Sequence, residues 1–107
     1  MGLLDRILGR RARDENPPEI VSRNPVGRFK VERELRAMGR QILIGEVLEG
    51  IVYPAYKLKA GRKVALIYRI EKEHREVEFA VSGDRVALIL EGEIEVGKEE
   101  EIEVYQS

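Results

Sequence analysis

Residues 77–92 read VEFAVSGDRVALILEG, and the fold turns on how this stretch is read. Val77, Phe79 and Val81 alternate with Glu78 and Ala80, the period-two pattern of a strand with one buried face. Ser82-Gly83-Asp84 then supplies turn chemistry, because glycine takes positive φ without steric cost and aspartate bonds its own backbone. Residues 86–90 follow as an unbroken apolar run, which predicts a second strand covered on both faces. Two such strands about a glycine turn form the centre of a small β core.

Working outward, the same grammar repeats. Before the centre, Glu71-Lys72-Glu73-His74-Arg75-Glu76 reads as a polar loop, and Val64, Leu66, Tyr68 and Ile70 give the clearest alternation in the chain. Tyr56 and Leu58 share a face, and Lys59-Ala60-Gly61-Arg62 makes a turn. Residues 41–48 are rich in Ile, Leu and Val, with Gly45 marking a bulge or a close backbone approach. Glu49-Gly50 reads as a turn, after which Ile51-Val52-Tyr53 resumes the strand until Pro54. Phe29, Val31 and Leu35 alternate with Lys30, Glu32 and Glu34. A helix over residues 29–38 is a rival, since Glu and Arg are good helix formers, but Gly27 and Gly39 bracket the stretch and favour a strand. Beyond the centre, Glu91-Gly92 turns the chain, and Ile94, Val96, Ile102 and Val104 close it around Gly97-Lys98-Glu99. Short strands separated by glycine turns predict an all-β barrel.

The totals narrow the options. At 107 residues the chain has room for one domain with a single continuous core. The absence of cysteine removes disulfides, zinc thiolate sites and thiol nucleophiles together. Charged residues make up 36% of the chain, against about 25% in ordinary soluble domains. With no Cys or Trp, that excess points to a thermophilic source using surface ion pairs. No apolar run approaches the roughly 20 residues of a membrane span. Arg6 stands where a myristoylation signal needs Ser or Thr, and residues 3–8 are too broken by charge for a secretory signal, so the expected location is cytoplasmic.

Charge is divided unevenly. Residues 1–40 hold ten Lys or Arg against six Asp or Glu, a balance of +4, and residues 41–107 hold nine against fourteen, a balance of −5, giving the net −1. Residues 1–27 read as a flexible basic leader and 28–107 as the barrel domain. Within the leader, Leu3, Leu4, Ile7 and Leu8 share one face at helical spacing, with Arg10 and Arg11 following. Thirteen residues are too few for a stable isolated helix, so this segment is expected either as a short amphipathic helix docked on a partner or as a disordered leader. Asn16-Pro17-Pro18 and Asn24-Pro25 make the connection extended.

Three segments carry a resemblance. Gly45-Glu46-Val47-Leu48-Glu49-Gly50 resembles the G-x-V-x-x-G stretch of domain 2 in translation GTPases of the elongation factor Tu type. Val52-Tyr53-Pro54-Ala55-Tyr56 sits where those proteins carry a short strand ending in a Gly-Asp turn, with Ala55 in place of the glycine. Ala80-Val81-Ser82-Gly83-Asp84-Arg85-Val86 resembles their A-x-x-G-D-x-V segment. The resemblance covers residues 29–105 in order. It implies a small closed translation-protein-type β-barrel of six to seven strands, occurring as a stand-alone small protein without the GTPase domain. No G-x-x-x-x-G-K-[ST] loop is present, so neither GTPase activity nor a bound nucleotide is expected.

Candidate sites are few. His74 is the one histidine and lies among Glu71, Glu73, Glu76 and Glu78, which reads as a solvated hairpin tip because one imidazole gives too few strong metal ligands. Ser82 and Ser107 sit in no nucleophile motif. No metal or other cofactor is expected, and no enzymatic activity. Glu93, Glu95, Glu99, Glu100, Glu101 and Glu103 read as a solvated edge that resists strand pairing. The sharpest candidate is a basic turn of Lys57, Lys59, Arg62 and Lys63 preceded by Tyr53 and Tyr56, which offers phosphate contacts and stacking faces to RNA. The expected role is a non-catalytic binding module for a protein or ribonucleoprotein partner, with direct RNA binding as the alternative.

Overall fold

The computed structural model describes residues 19–21 and 23–107. The leader positions Leu3, Leu4, Ile7, Leu8, Arg10 and Arg11 lie outside the described residues. Six antiparallel strands make the body: β1 (Gly27–Ala37), β2 (Arg40–Val52), β3 (Lys57–Ala60), β4 (Lys63–Lys72), β7 (Arg85–Glu91) and β8 (Glu101–Tyr105). They run β1-β8-β3-β4-β7-β2 around the molecule, and β1 pairs again with β2, so the sheet closes. Two short strands stand outside this ring: β5 (Arg75–Val77) pairs with β4, and β6 (Ala80–Val81) pairs with β2. Closure removes the exposed edges that would otherwise template strand addition.

Alternation, reset by register shifts in β1 and β4, fills the interior. Phe29 and Val31 from β1, Leu43 and Val47 from β2, Leu58 from β3, Ile67 and Ile70 from β4, Leu88 and Leu90 from β7 and Ile102 and Val104 from β8 are buried in one cluster. The strand reading of residues 29–38 therefore holds against the helical rival. β7 lies between β2 and β4 with Leu88 and Leu90 in the core; the expected cover on both faces is not a second layer, because Ile89, though buried, shares with Ala87 the outer face of the sheet, where both line a groove.

Gly45 is a close approach: a Cβ there would fall inside van der Waals contact with the Lys30 carbonyl oxygen. The register of β1 on β2 shifts between Val31 and Arg33, opposite this glycine, so the bulge sits on the partner strand. Gly50 differs from expectation. The chain does not turn at Glu49-Gly50, because β2 runs through them to Val52. A φ of 83° at Gly50 bends the strand, which leaves Gly27 on β1 and takes up Val81 on β6 without breaking.

The centre of the sequence needs the largest correction. Residues 77–81 are not one strand: Val77 ends β5 against Ile70, and Ala80 begins β6 against Val52. The phase is inverted as well, since Ala80 is fully buried while Phe79 is exposed. The expected polar loop over residues 71–76 is a tight hairpin. Only Glu73 and His74 link β4 to β5, both with positive φ (54° and 67°), the backbone of a type I′ turn. Ile94 is buried yet belongs to no strand, because the Gln41 side chain satisfies its backbone. After it the chain turns at residues 98–99, where Glu99 N donates to Val31 O (2.6 Å).

Candidate functional site

The end of β2 and the start of β3 carry the site. Ile51, Tyr53 and Phe79 are 47%, 40% and 49% exposed, large apolar side chains left on the surface. Ile51 pairs with Val81 and Val52 with Ala80, and the short β2–β6 ladder brings Phe79 beside Tyr53. The Tyr53 ring lies 5.8 Å from Phe79 at 46° and 5.4 Å from Tyr56 at 52°, within the range of favourable tilted aromatic pairs. Tyr56 is half-buried and rests on the core, so it anchors the other two rings. Contiguous exposed apolar side chains of this kind mark interaction surfaces more often than scattered ones do.

The turn between the tyrosines is held rigidly. Ala55 N donates to Ile67 O (2.7 Å), Ile67 N donates to Tyr56 O (2.8 Å), and Tyr56 N donates to Tyr53 O (3.2 Å). Ala55 sits at φ 79°, a conformation in which Cβ is strained. The turn thus keeps the backbone that glycine would favour, with alanine in it. Strain of this type costs about 1–3 kcal/mol and persists only where neighbours over-determine the geometry. Here β4 does so.

The opposite corner is set by Gly83-Asp84. Gly83 N donates to Val47 O (2.8 Å) and Val47 N donates to Asp84 O (2.9 Å), docking the turn on β2. The Asp84 carboxylate accepts from Val81 N (2.9 Å) and from Lys72 Nζ (3.0 Å). These bonds, the Val81 amide first and Lys72 second, hold its pKa below the ordinary value. The motif fixes where β6 leaves β2, and hence where Phe79 stands.

The six residues of the expected RNA site are divided by the fold. Tyr53, Tyr56 and Lys57 lie together at the start of β3, and Lys57 Nζ donates to Glu19 O (2.6 Å). Arg62 and Lys63 lie beyond the far end of β3, roughly 13 Å away at the usual rise of a strand. Lys63 Nζ stands 3.6 Å from Glu95 on the surface, a weak exposed pair. Lys59 is between them, opposite Glu103 of β8 and in a groove shared with Glu100 and Glu101. Phosphates approaching Lys59 therefore also meet carboxylates. Phe79 and Ile51 were not legible as site residues. The signal available was the small Ala80, whose burial turns its neighbours outward.

His74 is exposed at the β4–β5 turn, as expected for a solvated tip. Among the described residues, no group of three His, Asp or Glu side chains is placed to hold a metal ion.

Residues 24–104 match the family model described as elongation factor Tu domain 4. The fold is also similar to the crystal structure of a bacterial selenocysteine-specific elongation factor, with a TM-score of 0.65 at 19% identity. That match covers 96% of this chain and 18% of the elongation factor, so the chain spans less than a fifth of that protein. At this identity the likeness establishes the fold alone, a translation-factor β-barrel. No curated protein matches the sequence.

Proposed function

The chain belongs to the elongation factor Tu domain 4 family, and on that premise we propose that it is a non-catalytic binding module of the translation apparatus, acting in the cytoplasm. Its partner is a protein or ribonucleoprotein, and the surface that takes it is the Ile51–Tyr53–Phe79 patch. One observation carries this reading: the fold places Phe79 outside and Ala80 inside, leaving an aromatic side chain on the surface where it adds nothing to the core. Aromatic anchors with a rigid frame are the usual centres of binding surfaces. The order and spacing of the Gly45–Gly50 and Ala80–Val86 segments support the finer reading of a barrel resembling domain 2 of the elongation factor Tu type. The leader residues Leu3, Leu4, Ile7, Leu8, Arg10 and Arg11 supply a second contact.

Co-sedimentation with purified ribosomes and with isolated translation factors from the source cells tests the proposal. Wild-type protein is expected to bind one of these, and Phe79→Ser with Tyr53→Ser is expected to lose most of that binding while the barrel stays folded by circular dichroism. Equal binding by the double variant rejects the patch.

RNA is the second reading, favoured by the Tyr53 and Tyr56 rings beside Lys57. It expects log K to fall with log salt, with a slope that shrinks by roughly 0.7 for each phosphate-contacting charge removed from a single-strand complex. Lys57→Ala and Lys59→Ala should each reduce the slope, with Arg62 and Lys63 contributing only to a longer strand. Absence of any shift of tRNA or ribosomal RNA at low salt rejects it.

A further inference from the structure

The outer side of the sheet carries an apolar band, away from the aromatic patch. Leu35 pairs with Ile42, Ile42 with Ile89, and Ile44 with Ala87, so these side chains share the outward face of β1, β2 and β7. They line a groove of about 360 Å³, walled on one side by Glu71, Glu73 and His74 of the β4–β5 hairpin. A sheet face open to water should carry polar residues, as β8 does with Glu101 and Glu103. Here the charged groups stand only at the margins of the band. Arg33 lies across from Ile44 on the β1 side, Glu71 lies across from Ala87 on the β4 side, and Glu46 pairs with Arg85 at one end.

We propose that this face binds the same face of a second copy of the chain, about a two-fold axis that runs between β2 and β7 and parallel to them. Charge complementarity names this occupant. Such an axis sets each β2 position opposite the β7 position it pairs with, and each β1 position opposite its counterpart on β4. Ile44 then meets the partner's Ala87, and Ile42 meets the partner's Ile89. Arg33 meets the partner's Glu71, and Glu46 meets the partner's Arg85, each contact being made twice. Within one copy Arg33 and Glu71 are three strand spacings apart, about 14 Å, and cannot pair. Arg33 is exposed and has no ion-pair partner among the described residues, so it is free to take one from a neighbour. Aligned sheets cross at about 30°, which displaces Arg33 and Glu71 by only about 4 Å, because each stands roughly 7 Å from the axis. The face measures roughly 14 Å across and 20 Å along the strands, less than the about 800 Å² per partner of a standard interface. The association is therefore weak and depends on concentration. The inference does not depend on the aromatic patch.

Sedimentation equilibrium of the full chain, from micromolar to millimolar concentration, tests this. A monomer–dimer equilibrium is the expected result. Arg33→Glu and Glu71→Arg, each alone, place like charges at both copies of their contact and should weaken the dimer by about tenfold or more. An equimolar mixture of the two variants should recover the wild-type dimer, because in the mixed pair both contacts again join opposite charges. Circular dichroism checks that each variant keeps the barrel, and the exposed Arg33→Glu carries the test alone where Glu71→Arg disturbs the fold. Phe79→Ser with Tyr53→Ser should leave the dimer unchanged. A chain that stays monomeric throughout overturns the proposal. So does a dimer that ignores the charge reversals, that the mixture of folded variants does not restore, or that is lost with Phe79→Ser and Tyr53→Ser.

Discussion

The side-chain amide of Gln41 substitutes for a strand partner of Ile94. Gln41 Nε2 donates to Ile94 O (2.8 Å) and Gln41 Oε1 accepts from Ile94 N (2.9 Å), while Nε2 also donates to Glu34 Oε2 (2.8 Å). Gln41 is 2% exposed, a buried polar side chain with both ends of its amide satisfied. The pairing ties the β7–β8 connection to β2 where no ladder reaches it, and so seals the end of the barrel. Gln41→Leu strands two buried backbone groups, each worth about 1–3 kcal/mol when unpaired. The expected loss is about 2–4 kcal/mol, read as a lower denaturant midpoint with an unchanged slope.

Gly45→Ala should be among the most damaging single substitutions. The new Cβ meets the Lys30 carbonyl, which is backbone and cannot rotate aside. Either β1 and β2 separate or the bulge is rebuilt, at more than about 3 kcal/mol. Thermal unfolding followed by circular dichroism measures it. Gly61→Ala offers the contrast: it meets nothing within 4 Å and carries only the strain of its φ of 63°.

Ala55→Gly should stabilise the protein. Relief of the left-handed strain contributes about 1–2 kcal/mol, reduced by the extra entropy of glycine in the unfolded chain. A net gain of up to about 1 kcal/mol is expected in melting temperature or denaturant midpoint. An unchanged or lowered midpoint would mean that the alanine methyl group contributes packing that offsets its strain.

Asp84 sets an acid limit. Its folded pKa lies below the ordinary carboxylate value, so the unfolded state binds a proton first as pH falls. The stability contributed by the carboxylate is fully present above about pH 4 and is lost as pH falls through the lower folded pKa. Asp84→Asn should lower the denaturant midpoint at pH 7 and lower it less at pH 3, where the stability that the carboxylate contributes is being lost. A variant whose deficit is the same at both pH values would show that the ionised form is not what holds the Gly83 turn.

Much of the fold is legible along the chain. The alternation of Val64, Leu66, Tyr68 and Ile70 marks β4 as a strand but not its facing: Ala65 and Ile67 are buried and Tyr68 is exposed, and only the register shift between Ile67 and Arg69 brings Ile70 back to the core. Gly45 signals a close approach, and Gly83-Asp84 signals a turn. The candidate site was legible in part. Tyr53, Tyr56 and Lys57 are neighbours in sequence and remain so in space, whereas Arg62 and Lys63 are carried off by the length of β3. Gln41 and Ile94 are 53 residues apart, and nothing local in either announces the bond.

An antiparallel all-β body was determined by the sequence itself, because period-two alternation and glycine turns act between residues a few positions apart. The facing of residues 77–81 was decided by tertiary structure. Val77, Phe79 and Val81 compose one apolar face, and Ala80 on the other face is apolar too, so either phase can be buried. Pairing of Ala80 with Val52 selected the second, and with it put Phe79 beside Tyr53 on the surface. A side chain's direction follows from the ladder its strand joins, and that ladder is formed with residues almost thirty positions away.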